Sequence, residues 1–561
     1  MRRAAPLLLV LLGLACRTAG KPTEEAVDTG GAEDTGDVGE AVLPCPVFVA
    51  EGAEPEGDGT EAAPVPSIGD ALAIRATDCL DIWVGPGTYT EDVDFGDAEL
   101  RLVGTEGAFD TTLVGTGAGA VVTIRGGQAA AELTGFRITG GAGWLGEGEL
   151  STTETWGGGV AVYDSDVRLE DVIIDGNTAT GGGGGLVLHR ASAVAREVIV
   201  GDNTVDGGAG GEGGGILVVE GLLDAEGLFV AGNAVAASGD ARGGGIAARS
   251  AEVRATDLVV EDNHLDEVWE ASGAGGAGIA VRETTLAIDR TTVLGNTLSC
   301  VDGGAEPIHG AGITALASTV SLQATTLVGN TATGAACHLR GGALSLEEVD
   351  GSLVDLDLRD NLLELRGTGR AEGAGLAVFD SSPTLSGLVV AGNRITSDMT
   401  TDAVLHGGGL WLARTSPDLR RSTVHGNRIV PGDLGLPDVA GAGLYMHDAA
   451  PTLVGVLVTG NLAELPEGPD VQGGAGGVHA TATGEPAISH SDVWSNVGDD
   501  ADEAPAPAAD GNLAVDPLYA DASGTDALLW DLSLQAGSPC IDAGDPEDTD
   551  EDGSRADMGA P

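Results

Sequence analysis

The chain of 561 residues carries 87 acidic against 26 basic side chains, a formal net charge of −61, and only 3% aromatic residues. A field this acidic excludes nucleic acid and anionic membrane surfaces as partners. The 93 glycines beside 42% hydrophobic residues point to a slim aliphatic interior with many corners, not to a helical globule.

Residues 1–15 open with Arg2 and Arg3, then the apolar run Leu7 to Leu14, then Ala15 before Cys16. This is the layout of a secretion signal and is too short for a membrane span. Cys16 after a small residue is the candidate lipidation site of a bacterial lipoprotein. Gly13 stands where that pattern prefers an aliphatic residue, so cleavage with Cys16 unmodified is the alternative. Residues 16–44 read as anchor and tether: they are acidic and rich in Gly and Thr, a composition that buries no core. The triplets Asp28-Thr29-Gly30 and Asp34-Thr35-Gly36 lack the flanking apolar strands of an aspartic protease loop.

Residues 45–150 predict an N-terminal cap and the first irregular coils, with a short helix from Ser67 to Ala76. Cys45 and Cys79 flank the entry to the fold, where a disulfide would close the cap in an oxidising compartment.

Residues 151–500 contain a ruler. A glycine-rich step leads into an aliphatic mark: Val160, Leu186, Ile216, Ile246, Ile279, Ile313, Leu344, Leu376, Leu410, Leu444 and Val478. Seventeen residues later, eighteen in the last unit, stands an asparagine: Asn177, Asn203, Asn233, Asn263, Asn296, Asn330, Asn361, Asn393, Asn427, Asn461 and Asn496. From each Asn to the next mark the interval varies from nine to seventeen residues. A fixed segment joined to a variable one is the signature of stacked coils with a free loop. Within the fixed part apolar residues alternate, as in Leu186/Leu188 and Val198/Val200, so each coil is built of short strands. The prediction is an all-β, right-handed parallel β-helix of about 13–14 coils, with the asparagines bonded coil to coil as a ladder. The asparagines are also placed at strand ends, where a left-handed backbone would be useful. Cys300 and Cys337 lie in the variable loops of adjacent coils and are expected to pair, leaving Cys540 as an inert buried thiol. Residues 501–561 are expected to cap the C-terminal edge. They show no terminal aromatic strand pattern of an autotransporter barrel.

Gly183-Gly184-Gly185-Leu186 followed by Val198-Ile199-Val200-Gly201-Asp202-Asn203 resembles the repeats of polymorphic outer-membrane-type bacterial surface proteins. That family places an aromatic two residues before Asn, where this chain has aliphatic residues nearby. Ile82-Trp83-Val84-Gly85-Pro86-Gly87-Thr88-Tyr89 is similar to the opening coil of pectin-lyase-like β-helix proteins. Gly537-Ser538-Pro539-Cys540-Ile541-Asp542-Ala543-Gly544-Asp545 resembles the tail of secreted bacterial β-helix proteins. The resemblance spans about residues 65–561 and implies an exported outer-membrane or cell-surface protein, secreted if not anchored.

The side chains outside the ruler offer three kinds of chemistry. A polysaccharide lyase or hydrolase of the pectin-lyase-like kind needs a base and a cationic neutraliser. The only lysine is Lys21, so the candidates are Arg366, Arg370, Arg414, Arg420 and Arg421, none in a catalytic motif; Asp499-Asp500 and His309-Gly310 are similarly isolated. No catalytic residue is assigned. Calcium is the one candidate cofactor. Asp548, Asp550 and Asp552 before Gly553 write an EF-hand-like D-x-D-x-D-G, with Gly559 where the twelfth-position Glu belongs and Asp557 as substitute. Binding without catalysis is the third. Trp411 and Tyr445 occupy one outward-facing position of consecutive coils and are expected to stack into a short aromatic strip, either an exposed platform for a glycan or cross-strand packing. The expectation that follows is a structural or adhesive surface rod, monomeric, contacting a polysaccharide or another cell-surface component.

Overall fold

The computed structural model describes residues 45–561 except for residues 97, 127–129, 146–149, 151–152, 209, 237–238, 269–273, 302–305, 399–402, 433–437, 465–475, 482–485 and 499–508. The expected signal at 1–15 and the anchor and tether at 16–44, Cys16 included, lie outside the described residues, as do Trp269, Asp499 and Asp500.

Each coil begins at its aliphatic mark. The marks lie in sheet I, thirteen parallel strands running from Val93–Asp94 to Val478–Thr481. The chain then turns into sheet II, whose 26 strands supply two short segments to most coils. After the asparagine comes sheet III, ten strands from Thr178–Ala179 to Leu462–Ala463. Coil pairs in register, such as Leu376 with Leu410 and Leu410 with Leu444, so identical positions stack. The fold is a parallel β-helix, and its 13-stranded wall spans about 60 Å at roughly 4.8 Å per coil.

Period-two alternation sends every second side chain inward, and Val, Leu and Ile from sheets I and II form one continuous core. Corners are made by left-handed residues at repeating positions. Asp380, Arg414 and Asp448, each four past a mark, have φ of 46°, 50° and 50°. At the asparagine corner the left-handed residue is the one before it: Asp202 and Asp360 have φ of 53° and 52°. This corrects the expectation that Asn itself takes that conformation. From Asn177 to Asn461 the asparagine is instead fully buried, with Asn496 half-buried at the last coil, and its side chain takes the work. The glycine step has two separate causes. Gly407 turns at φ +68°, whereas a Cβ on Gly409 would stand 2.6 Å from the Gly443 carbonyl and 2.9 Å from Asn427 Nδ2.

The variable intervals are less free than their lengths suggest. In the later coils they carry sheet IV, five parallel strands from Ile308–His309 to Asp438–Ala440, paired coil to coil. Sheets III and IV close a second apolar seam that includes Leu298, Leu339, Leu363, Leu405 and Ile429. Cys300 and Cys337 are joined by a disulfide beside this seam, Cα–Cα 6.6 Å.

At the N-terminal end Val47–Val49 adds a parallel strand to Asp81–Val84. The helix Ile68–Ile74 seats Ile68 and Ala71 in the core. Ser67 caps it by accepting from the Asp70 N–H, and Glu91 accepts from the N–H groups of Ile68 and Gly69 at 2.9 and 2.8 Å. Cys45 and Cys79 form a second disulfide with Cα–Cα 5.5 Å.

The C-terminal segment does two things where one was expected. Asn512 and Leu513 stack on the last coil, Asn512 Oδ1 accepting from Ser491 N. From Tyr519 onward the chain doubles back along the outer face of sheet II. Tyr519, Trp530, Leu532 and Met558 pack there against Ala391 and Leu457. Arg359 donates to the carbonyls of Ala527 and Trp530, and Gly559 N donates to Gly455 O at 2.8 Å. The segment is a lateral clasp as well as an end cap. Among the described residues no helix is long and apolar enough to cross a membrane.

Candidate functional site

Three arrangements of polar groups stand out, and they differ in what solvent can reach. The first is the asparagine ladder. Every interior rung has the same chemistry: Asn330 Oδ1 accepts both N–H and Nδ2–H of Asn296 at 3.2 and 3.0 Å. Asn330 Nδ2 donates to Val293 O and to Asn361 Oδ1, at 3.0 and 2.9 Å. The ladder begins where Gly141 N donates to Asn177 Oδ1 and runs unbroken to Asn496. Its amides are used up inside the wall, so the ladder stiffens the rod and presents nothing outward.

The second is a column of charge and rings between the outer face of sheet I and sheet IV. The residue before each glycine step builds it: His309, Arg340, Glu372 and His406 are register neighbours. Glu372 Oε2 meets His338 Nε2 at 2.8 Å and Arg340 Nε at 3.3 Å. Burial alone would raise the Glu372 carboxyl, but the His338 hydrogen bond and the charges of His338, Arg340 and His406 hold it below the ordinary range. Full burial, with Arg340 adding to it, pushes the His309 imidazole down to about 3, so it is neutral; its Nδ1 meets Ser345 Oγ at 2.8 Å.

Trp411 and Tyr445 belong to this column. They are 4% and 6% exposed, which removes the expected open glycan strip. Phe379 stacks on Trp411 at 6.0 Å, the Arg340 guanidinium lies 4.8 Å over the Trp411 ring, and Tyr445 is stacked between His406 at 4.0 Å and His479 at 5.4 Å. Both rings do point away from the main core, as alternation requires. Sheet IV then covers them. The sequence signal for that cover was the short apolar beat in the loops, Val404 to His406 and Val439, and the constant offset of His309, Arg340, Glu372 and His406 before their glycines.

The third arrangement is open: a cleft of about 270 Å³ between the last coils and the C-terminal clasp. Its floor is one column of sheet II, His425, Thr459 and Trp494, neighbours in register. The clasp supplies Asp516, Leu518, Tyr519 and Gln535. Thr459 Oγ1 meets both His425 Nδ1 and the Tyr519 hydroxyl at 2.9 Å. Burial pushes His425 down to about 4 and raises the Tyr519 phenol, so both are uncharged at neutral pH. Asp516 Oδ1 accepts from Leu518 N, and Gln535 Nε2 donates to Tyr519 O at 2.6 Å.

The remaining sequence candidates are dispersed. Asp550 pairs with Arg421 and accepts from Asp557 N; Asp557 Oδ1 accepts from Asp542 N; Asp552 Oδ1 closes a turn with Ser554; Asp548 lies 3.9 Å from Arg420. These carboxylates serve the clasp, and among the described residues no group of three or more His, Cys, Asp or Glu stands at metal-holding distance. The arginines considered for uronate neutralisation each face a carboxylate of the chain: Arg366 Glu364, Arg370 Glu372, Arg414 Asp380, Arg420 Asp545 and Asp548, Arg421 Asp550. Cys540 is fully buried. Burial, then the Asp492 charge, push its thiol up to about 12.

No protein-family model matches the chain, and no curated protein sequence matches it. Among solved structures it is similar to the A-module of mannuronan C-5 epimerase AlgE6 of Azotobacter vinelandii, at 14% identity over 71% of this chain and 97% of that chain, with a TM-score of 0.30. It is also similar to PfbA, a surface adhesin of Streptococcus pneumoniae, at 10% identity over 78% of this chain and 92% of that chain, with a TM-score of 0.24.

Proposed function

We propose that the protein is an exported cell-surface rod with a structural or adhesive role, which engages a polysaccharide or another surface component through its sides. The observation that carries this reading is the division of labour within the coil. The asparagines lock each coil to the next, and the buried column under sheet IV is neutralised by its own partners. One lateral cleft beside the clasp then sets the polar side chains of Thr459, Asp516 and Gln535 around an open space. Two disulfides fit an oxidising compartment, and the signal-like leader with Cys16 as lipid anchor would hold the rod at the membrane surface through its acidic tether.

Labelling of intact cells with an antibody to residues 45–561, together with the mass of the mature N-terminal peptide, tests the display. Surface labelling and a lipid-modified Cys16 peptide are expected; a soluble intracellular pool with an intact leader would refute it.

A further inference from the structure

The cleft between the last coils and the clasp brings together an aromatic ring, a carboxylate and an amide, the side chains that hold a sugar. Its floor offers the half-buried Trp494 indole, an apolar ring surface of the kind on which the C–H face of a pyranose rests. Its rim offers a carboxylate and an amide, Asp516 and Gln535, neither held by a counter-charge. Gln535 is fixed by its bond to Tyr519 O, which leaves its side-chain oxygen to accept from a hydroxyl. Asp516 spends Oδ1 on Leu518 N and keeps Oδ2. Below them the Thr459 hydroxyl has a single proton for two neighbours, so His425, Thr459 and Tyr519 order one another and hold the floor rigid.

Size and charge narrow the ligand. A volume of 270 Å³ falls just below the roughly 300 Å³ at which small-molecule pockets begin, and suits one sugar ring in place of a chain. Asp516 is the one formal charge among the lining residues, in a chain of net charge −61, so a uronate or sulfated sugar is repelled. We infer that the cleft formed by Trp494, Asp516, Tyr519 and Gln535 binds a terminal, uncharged pyranose residue of a surface glycan, with the ring on Trp494 and its hydroxyls on Asp516 and Gln535. This inference rests on the proposed adhesive role and names its ligand class.

The test is calorimetric titration, supported by ligand-observed NMR, of the mature full-length chain with methyl glycosides of glucose, galactose, mannose and N-acetylglucosamine, and with glucuronate and galacturonate. At least one neutral glycoside is expected to bind, with either uronate weaker by about tenfold or more. Asp516→Asn, an exposed and conservative change, is expected to weaken that glycoside about tenfold, because a hydrogen bond to a charged acceptor is lost. Trp494→Ala should abolish binding, and circular dichroism checks that the last coil is intact. Neutral glycosides that bind both variants as they bind the parent chain would overturn the cleft while leaving surface adhesion standing. Preferred binding of uronates would overturn the ligand class. Absence of binding to every glycoside would overturn the inference; if whole cells or polysaccharides are not bound either, the adhesive reading falls with it.

Discussion

Asn233 Oδ1 accepts two hydrogen bonds from Asn203, from its backbone N–H and from its side-chain amide, each at 3.0 Å. One oxygen thus closes one coil and positions the next, and the relationship recurs along the rod.

Replacing an interior rung should therefore cost more than one hydrogen bond. Asn330→Ala takes the acceptor from the buried Asn296 N–H, one of the partners from the Asn296 amide, which keeps Val260 O and Leu294 O, and the side-chain donor from the Val293 carbonyl. Buried groups left unpaired cost about 1–3 kcal/mol each, so a loss of about 3 kcal/mol or more is expected. Asn330→Asp should fare no better, since a carboxylate cannot donate to Val293 O. Denaturant midpoints and local hydrogen exchange check this; because coils unfold by neighbourhoods, exchange should rise first around residues 290–365. A loss under about 1 kcal/mol would show the ladder to be incidental.

Trp411→Ala separates packing from recognition. The ring lies under sheet IV against Phe379 and Arg340, so truncation should cost about 3–5 kcal/mol. Glycan binding should be unchanged. Weakened binding in a chain that remains folded would restore the exposed-strip expectation.

Glu372 sets a lower limit on pH. Its carboxyl is held below the ordinary range by His338 and Arg340, so the folded state favours the ionised form. That contribution is present above the unfolded glutamate range, near pH 4.5, and is lost as pH falls through the lower folded value. Glu372→Gln should destabilise the sheet IV side by about 3–5 kcal/mol at pH 7, because it leaves Arg340 without one of its two carboxylate partners, and the gap to the parent chain should narrow below pH 4. Thermal unfolding followed across pH 3–8 checks the sign. A constant gap across that range would contradict it.

Asp492 works in the opposite direction. Burial beneath the cap pushes its carboxyl up to about 6. A raised folded value favours the protonated form: both states are protonated below about pH 4, the unfolded state alone ionises between about 4 and 6, and stability falls through that window. Asp492→Asn keeps an acceptor for Val515 N and should stabilise the C-terminal end by up to about 3 kcal/mol at pH 7, with no gain at pH 4. In the same region Cys540 should resist thiol reagents in the native protein at pH 9 and react on unfolding, which thiol titration reads directly.

The coil was legible in the sequence because its constraints are local and periodic. The Leu410 step and Asn427 lie seventeen residues apart in one coil, and every neighbouring coil repeats them. Cys300 and Cys337 could be matched for the same reason, each lying shortly after its own Asn. What stayed hidden depends on contacts without a period. Arg359 meets Trp530, and Gly559 meets Gly455, across more than a hundred residues of chain, so nothing local announces the clasp or the cleft it creates. Trp411 and Tyr445 were placed on the right face, but their cover comes from loop strands too short and too variable in position to stand out. His309 and His406 stand far apart in the sequence, yet they share one column position through stacking.

The proposal that this surface rod binds glycan, and does so without cleaving it, is tested most directly by one assay. The mature chain is presented to a panel of neutral and acidic polysaccharides, with calcium and with chelator, and binding and chain length are scored together. The expected result is retention of a neutral polysaccharide of unchanged length, equally with calcium or chelator. Shortened or unsaturated products, or retention of none of the panel, would contradict it.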